Sequence, residues 1–243
     1  MLPWAARIAC LFVALLAGGS AASADDLSEF NTALEAASAH NRVAVGYLRT
    51  GNIDLASLEI DRLRETWVKL TEHFSGRRPS AFANNALYGK LFTSVSARLV
   101  GADIMLKAGK LDAARNALDA VRGDLYDLRR QSGIVVLADC VRDANTMMDA
   151  LMVYNDRAVD WGSSEIRSDV AAKASNYGVQ LERCDGIANE AVRSVPEFRR
   201  LVDGARESLT LIRKAIDTRD ADLLHRVLIE LRAFDNLLAF RYG

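Results

Sequence analysis

Ile53-Asp54-Leu55-Ala56-Ser57-Leu58-Glu59-Ile60-Asp61-Arg62-Leu63-Arg64-Glu65-Thr66-Trp67-Val68-Lys69-Leu70-Thr71-Glu72-His73-Phe74 is the stretch that decides the fold. Ile53, Ala56, Ile60, Leu63, Trp67, Leu70 and Phe74 recur at spacings of three and four, the pitch of one helical face. Glu59, Asp61, Arg62, Arg64, Glu65 and Lys69 fill the other faces with charge. Such a helix is stable only when its apolar stripe is covered by neighbours. The segment therefore predicts helices packed side by side.

The same spacing continues in both directions. Leu27, Phe30, Leu34, Ala37, Ala44 and Leu48 form the stripe before it, with Asn41 at the missing position. After it come Tyr88 to Leu106, then Leu111 to Leu128, then Leu137 to Ala158 and Ile166 to Ala188. Phe198 to Ile216 and Leu224 to Leu238 complete the set. Gly51, Gly109 and Gly133 punctuate the stripes where a left-handed residue would close a helix. Asn52 and Asp220 are expected as N-caps. Ser194 and Glu197 have capping-box spacing, with Pro196 in the first turn. No period-2 run of β-branched residues competes, so no sheet is predicted. The expected fold is all-α, with about eight long antiparallel amphipathic helices. They pack either as two four-helix-bundle-like halves, 25–132 and 133–243, or as one continuous stack of helical hairpins.

The N-terminus predicts export. Arg7 precedes the unbroken apolar run Ile8 to Ala17, and Ala22-Ser23-Ala24 gives the small-x-small pattern of a signal-peptidase site. Cleavage is expected after Ala24, which makes 1–24 a signal peptide and the compartment the periplasm. About ten apolar residues, at ~1.5 Å rise each, are too short to span a ~30 Å hydrocarbon core. No later segment is long and apolar enough to span a membrane, so the mature chain is expected to be soluble. With Arg7 removed, 30 basic and 32 acidic side chains remain (31 − 1 against 32), and that balance argues against nucleic acid as a partner.

Two turns carry a local likeness. Tyr47-Leu48-Arg49-Thr50-Gly51-Asn52-Ile53-Asp54-Leu55-Ala56 and Ile104-Met105-Leu106-Lys107-Ala108-Gly109-Lys110-Leu111-Asp112-Ala113-Ala114 resemble the helical hairpin turns of tetratricopeptide repeats. In that family the glycine stops one helix and a small residue lets the next pack closely. Gly51 and Gly109 are 58 residues apart, whereas those repeats recur about every 34 residues. The resemblance implies a shared way of turning, with peptide binding as an analogy.

Cys140 and Cys184 are the two cysteines left after export, and an oxidising compartment favours their pairing. Cys140 lies 23 residues before Ser163 and Cys184 lies 21 after it, so a hairpin centred there puts them at nearly one height. The alternatives are two buried thiols or a redox pair; the sequence has no CxxC to support the latter.

Among candidate site residues, Met152 and His225 come level across antiparallel helices, with His225 opposite about Tyr154. A Met/His pair on facing helices of a cytochrome b562-like bundle could hold haem b non-covalently. His40, beside Asn41, is expected opposite Arg62. Paired Glu-x-x-His motifs, Gly-x-Ser-x-Gly, phosphate loops and zinc-type Cys/His clusters are all missing from the sequence. The expectation is a non-enzymatic, exported module with a protein partner and no cofactor. A carrier of haem, metal or another small ligand is the alternative.

Overall fold

Glycine supplies the stops. Gly51, Gly109 and Gly133 have φ of +73°, +71° and +67°, a backbone region that favours glycine. At each stop the amide three residues past the helix reaches back: Asn52 to the Tyr47 carbonyl, Lys110 to Met105 and Ile134 to Arg129, at 2.9–3.0 Å. These Schellman closures fix three helix ends. Arg219 closes a fourth with φ +56°, and Asp220 N reaches the Ala215 carbonyl at 2.9 Å.

The computed structural model describes residues 19–155 and 159–243, with side chains from 25 onward. Segment 1–24, where a signal peptide is expected, thus lies outside the described residues except for the backbone of 19–24, which is helical. The helices are α1 (Gly19–Arg49), α2 (Ile53–Phe74), α3 (Ala86–Lys107), α4 (Leu111–Gln131), α5 (Leu137–Met152), α6 (Ser164–Ile187), the short α7 (Glu190–Arg193), α8 (Pro196–Thr218) and α9 (Ala221–Tyr242). A 3₁₀ turn, Ser80–Phe82, precedes α3. Among the described residues there is no strand, and the all-α expectation holds. No helix among them is long and apolar enough to cross a membrane.

Three local details differ from expectation. α5 stops at Met152 rather than continuing toward Ala158. The segment expected to join two helices around Ser194 holds the extra turn α7. The N-cap of α8 is Val195, so the Ser194/Glu197 capping box does not form. Pro196 at the first helical position forces its predecessor into extended backbone. Ser194 then falls one residue too early, and its Oγ donates to the Ala191 carbonyl instead.

Buried apolar residues gather into two clusters. One runs from Phe30 to Leu128 and the other from Cys140 to Leu238. In the first quartet α1, α2, α3 and α4 each touch the next, and α4 closes on α1. The second quartet, α5, α6, α8 and α9, closes in the same way. The register is antiparallel. His40 pairs with Glu59 while His73, further along α2, pairs back to Glu29 on α1. Asn145 of α5 meets Asp235 of α9, and Asn155, just past the end of α5, meets His225 near the start of α9.

The link between the quartets is clamped. Arg129 at the end of α4 makes a two-pronged bond to Asp139 at the start of α5, Nε–Oδ2 2.7 Å and Nη2–Oδ1 2.5 Å. Both residues are buried. The fork geometry of guanidinium and carboxylate holds the turn at Gly133 in one shape. Tyr126 adds a bond to Asp143 at 3.0 Å across the same corner.

Candidate functional site

Cys140 on α5 and Cys184 on α6 are disulfide-bonded, with Cα atoms 5.4 Å apart and each residue 3 % exposed. Gln180, one turn from Cys184, donates to the Cys140 carbonyl at 3.1 Å. The bond and the amide together pin the α5–α6 hairpin at one end.

Toward the middle of the second quartet lies a group of polar residues that spacing alone did not bring together. Asp235 of α9 is 1 % exposed and Tyr177 of α6 is fully buried. Asn145 of α5 donates to Asp235 Oδ2 at 2.5 Å, and the Tyr177 hydroxyl faces Oδ1 at 3.4 Å. Arg232 reaches Asp235 Oδ2 at 3.2 Å and also holds Asp149 at 2.6 Å. Burial raises the Asp235 pKa to about 6, despite the opposing pull of Asn145, Arg232 and Tyr177. Burial, then the Asp235 charge, drives the Tyr177 hydroxyl strongly upward as well. A carboxylate poised near neutrality is the kind of group that can move a proton. Here it has no access, because a substrate atom would have to open the bundle to reach it. The network instead ties α5, α6 and α9 into one register. Its signal was in the sequence: Asp235 lies four residues after Leu231 and three before Leu238, on the core seam.

The expected ligand pair is placed as follows. His225 is exposed, and its Nδ1 lies 3.2 Å from the Asn155 carbonyl, one residue from the level counted in the sequence. Met152, the last residue of α5, is half-buried against the second core. Neither lines the α6/α8 groove described below. His40 faces Glu59 at 2.7 Å rather than Arg62 directly, and Glu59 passes the contact on to Arg62 at 2.7 Å. Glu59, nearly one turn earlier on the same side of α2, is buried, while Arg62 is half exposed. Asn41 is 1 % exposed, and its Nδ2 donates to the Leu118 carbonyl at 3.1 Å. Among the described residues, no group of three or more His, Cys, Asp or Glu side chains could hold a metal ion.

An open groove of about 450 Å³ runs between α6 and α8. Ala174, Gly178 and Ile212 form part of its floor. Val179 stands 63 % exposed beside it. Glu182, Arg213 and Asp217 rim it with both signs of charge. Gly178 matters locally, because a Cβ there would come 3.3 Å from the Leu209 side chain.

Searches of known family models, curated proteins and solved structures find no match to this chain.

Proposed function

We propose that this is a non-enzymatic, exported helical-bundle protein that binds another protein in the periplasm or within an envelope assembly. The observation that carries the proposal is the α6/α8 groove: open, apolar-floored, edged by charge, with a large aliphatic residue left exposed beside it. An amphipathic helix is the occupant that suits it. Small residues on α6 would let its backbone approach, and flanking charges of both signs would meet Glu182, Asp217 and Arg213. A non-enzymatic role is supported by the burial of Asp235, a carboxylate raised toward neutrality that no substrate reaches. Export is supported by the leader pattern at 1–24 and by the disulfide at Cys140–Cys184.

The test places a photo-crosslinking residue at Val179, with Lys69 as the exposed control on the other quartet. In the native cell envelope, position 179 should give one discrete protein adduct and position 69 none. Equal labelling from both positions, or none from 179, would sink the groove as a binding site. N-terminal sequencing of the same material should begin at Asp25, and an intact Met1 on cytosolic protein would refute export.

A further inference from the structure

The two quartets leave a cleft of about 280 Å³ between them. Its walls come from both. Asn31, Leu34 and Ser38 of α1 stand on one side, and Leu137 and Ala138 of α5 with Val192 of α7 stand on the other. Arg129 of α4 and the pair Arg241 and Tyr242 of α9 complete it. No residue of the α6/α8 groove takes part.

The second-quartet wall is held in place from behind. The fork from Arg129 grips Asp139, the neighbour of Ala138. Cys140, the next residue, is tied to Cys184 on α6. The Tyr242 ring stands edge-on to the fully buried Phe198 at 5.0 Å. A cavity whose lining is fixed in advance loses little freedom when a guest enters.

The lining decides what fits. Leu34, Leu137, Ala138 and Val192 make an apolar surface from which water is released favourably. Each charged residue of the lining already has its opposite. Arg129 pairs with Asp139, Arg241 Nε lies 3.3 Å from Glu197, and Glu35 pairs with Arg42 at 2.5 Å. A charged guest would shed its hydration and find no unpaired counter-charge in return.

Hydrogen-bond donors are what the lining leaves over. The Arg129 side chain is 9 % exposed, and Nη1, the nitrogen outside its fork, donates to no other described residue. Nη1 is not sealed in the core, so the cleft is the space it meets. The Tyr242 hydroxyl also has no hydrogen-bond partner among the described residues. A guanidinium can only donate, so the matching group on a guest is an acceptor oxygen. At ~30 Å³ per water, the cleft offers the space of about nine waters, which suits about ten non-hydrogen atoms and excludes a haem.

We propose that this cleft binds a small uncharged molecule, an apolar chain or ring carrying a carbonyl-type oxygen, and that the bound molecule fastens the two quartets together. The oxygen accepts from Arg129 Nη1 and the Tyr242 hydroxyl. The apolar part lies between Leu34 of the first quartet and Leu137 of the second.

Titration of ¹⁵N-labelled protein with N,N-dimethylhexanamide, a chain amide with a carbonyl and no N–H, tests this. Octanoate and octylammonium are the charged probes of similar size. With the amide, the backbone signals of Ser38, Ala138 and Val192 should shift together and saturate, while those of Ala174 and Val179 in the groove stay still. The melting midpoint should rise by roughly 3 °C or more at a tenfold excess over half-saturation. Ser38→Phe and Ala138→Phe fill the space from opposite walls, and each should abolish the shifts while the rest of the spectrum reports that the variant is folded. Tyr242→Phe keeps the ring against Phe198 and should weaken binding about fivefold, the loss of one hydrogen bond. Three results would each overturn the proposal: no shift at the three cleft positions, undiminished binding in a folded filled variant or in Tyr242→Phe, or tighter binding of either charged probe than of the amide.

Discussion

The two quartets share a topology and differ in what locks it. The first is held by rings. Phe30 lies 5.1 Å from Phe74, 5.3 Å from Phe82 and 5.7 Å from Tyr88, and Tyr88 meets Phe92 at 5.4 Å. Its inward polar residue Asn41 leaves the acceptor Oδ1 without a hydrogen bond. The second quartet uses a covalent bond at Cys140–Cys184 and an ionisable network at Asp235. Aromatic packing is tolerant of pH and redox state. A disulfide and a buried carboxylate are not. The contrast teaches that one bundle plan can be locked chiefly by packed rings or by bonds that depend on the surroundings.

The largest effect is expected from emptying the aromatic cluster. Phe30→Ala should cost about 3–5 kcal/mol in urea unfolding, since a fully buried ring leaves a cavity. A loss below about 1 kcal/mol would mean that the rings do not carry the first quartet. Next comes the disulfide. Closing a loop of 44 residues should contribute about 3–4 kcal/mol, so replacing Cys140 and Cys184 together with Ser should lower stability by that much. Added reductant should destabilise wild type and leave the double variant unchanged; equal sensitivity of the two proteins would contradict the pairing.

The third test uses pH. The folded pKa of Asp235 is raised from 3.8 to about 6, so the fold favours the protonated form. The associated stability is complete below the unfolded pKa and is lost as pH rises through the folded one. Asp235→Asn should therefore gain on wild type above pH ~6, by roughly 3 kcal/mol at most, and the gain should vanish by pH ~4. A difference between the two proteins that stays flat with pH would remove the titrating group from the second core. The smallest effect concerns helix ends. Arg219 holds a left-handed conformation that Gly51 fills in the first quartet. Arg219→Gly should raise stability by up to about 1 kcal/mol, and Gly51→Ala should lower it by a similar amount. Matching signs in the two melting curves would erase this distinction.

Legibility followed physical range. The stripe in Ile53–Phe74 foretold its buried face, and Ala56, Ile60, Leu63, Trp67, Leu70 and Phe74 are all buried. Ile53, the first of the stripe, is 42 % exposed because it sits at the helix start, where no neighbour covers it. Counting outward from a turn brought Cys140 to Cys184, and His225 to within one residue of its actual partner. Counting paired His40 with Arg62 instead of Glu59, because residues three apart share one side of a helix and differ by nearly a turn in height. The cleft between the quartets was invisible in sequence, since Ser38, Arg129 and Tyr242 lie on three different amphipathic helices and each reads as a solvated face.

The sequence by itself determined that the chain is helical, where most of its helices stop, and which faces must be hidden, because those properties depend on neighbours three or four residues away. Only the tertiary structure decided which distant residues share an environment: Asp235 with Tyr177 and Asn145, and Arg122 with Arg42. A charge acquires its cost from the dielectric and the ions around it, and those are assembled only when helices far apart in the chain close on one another.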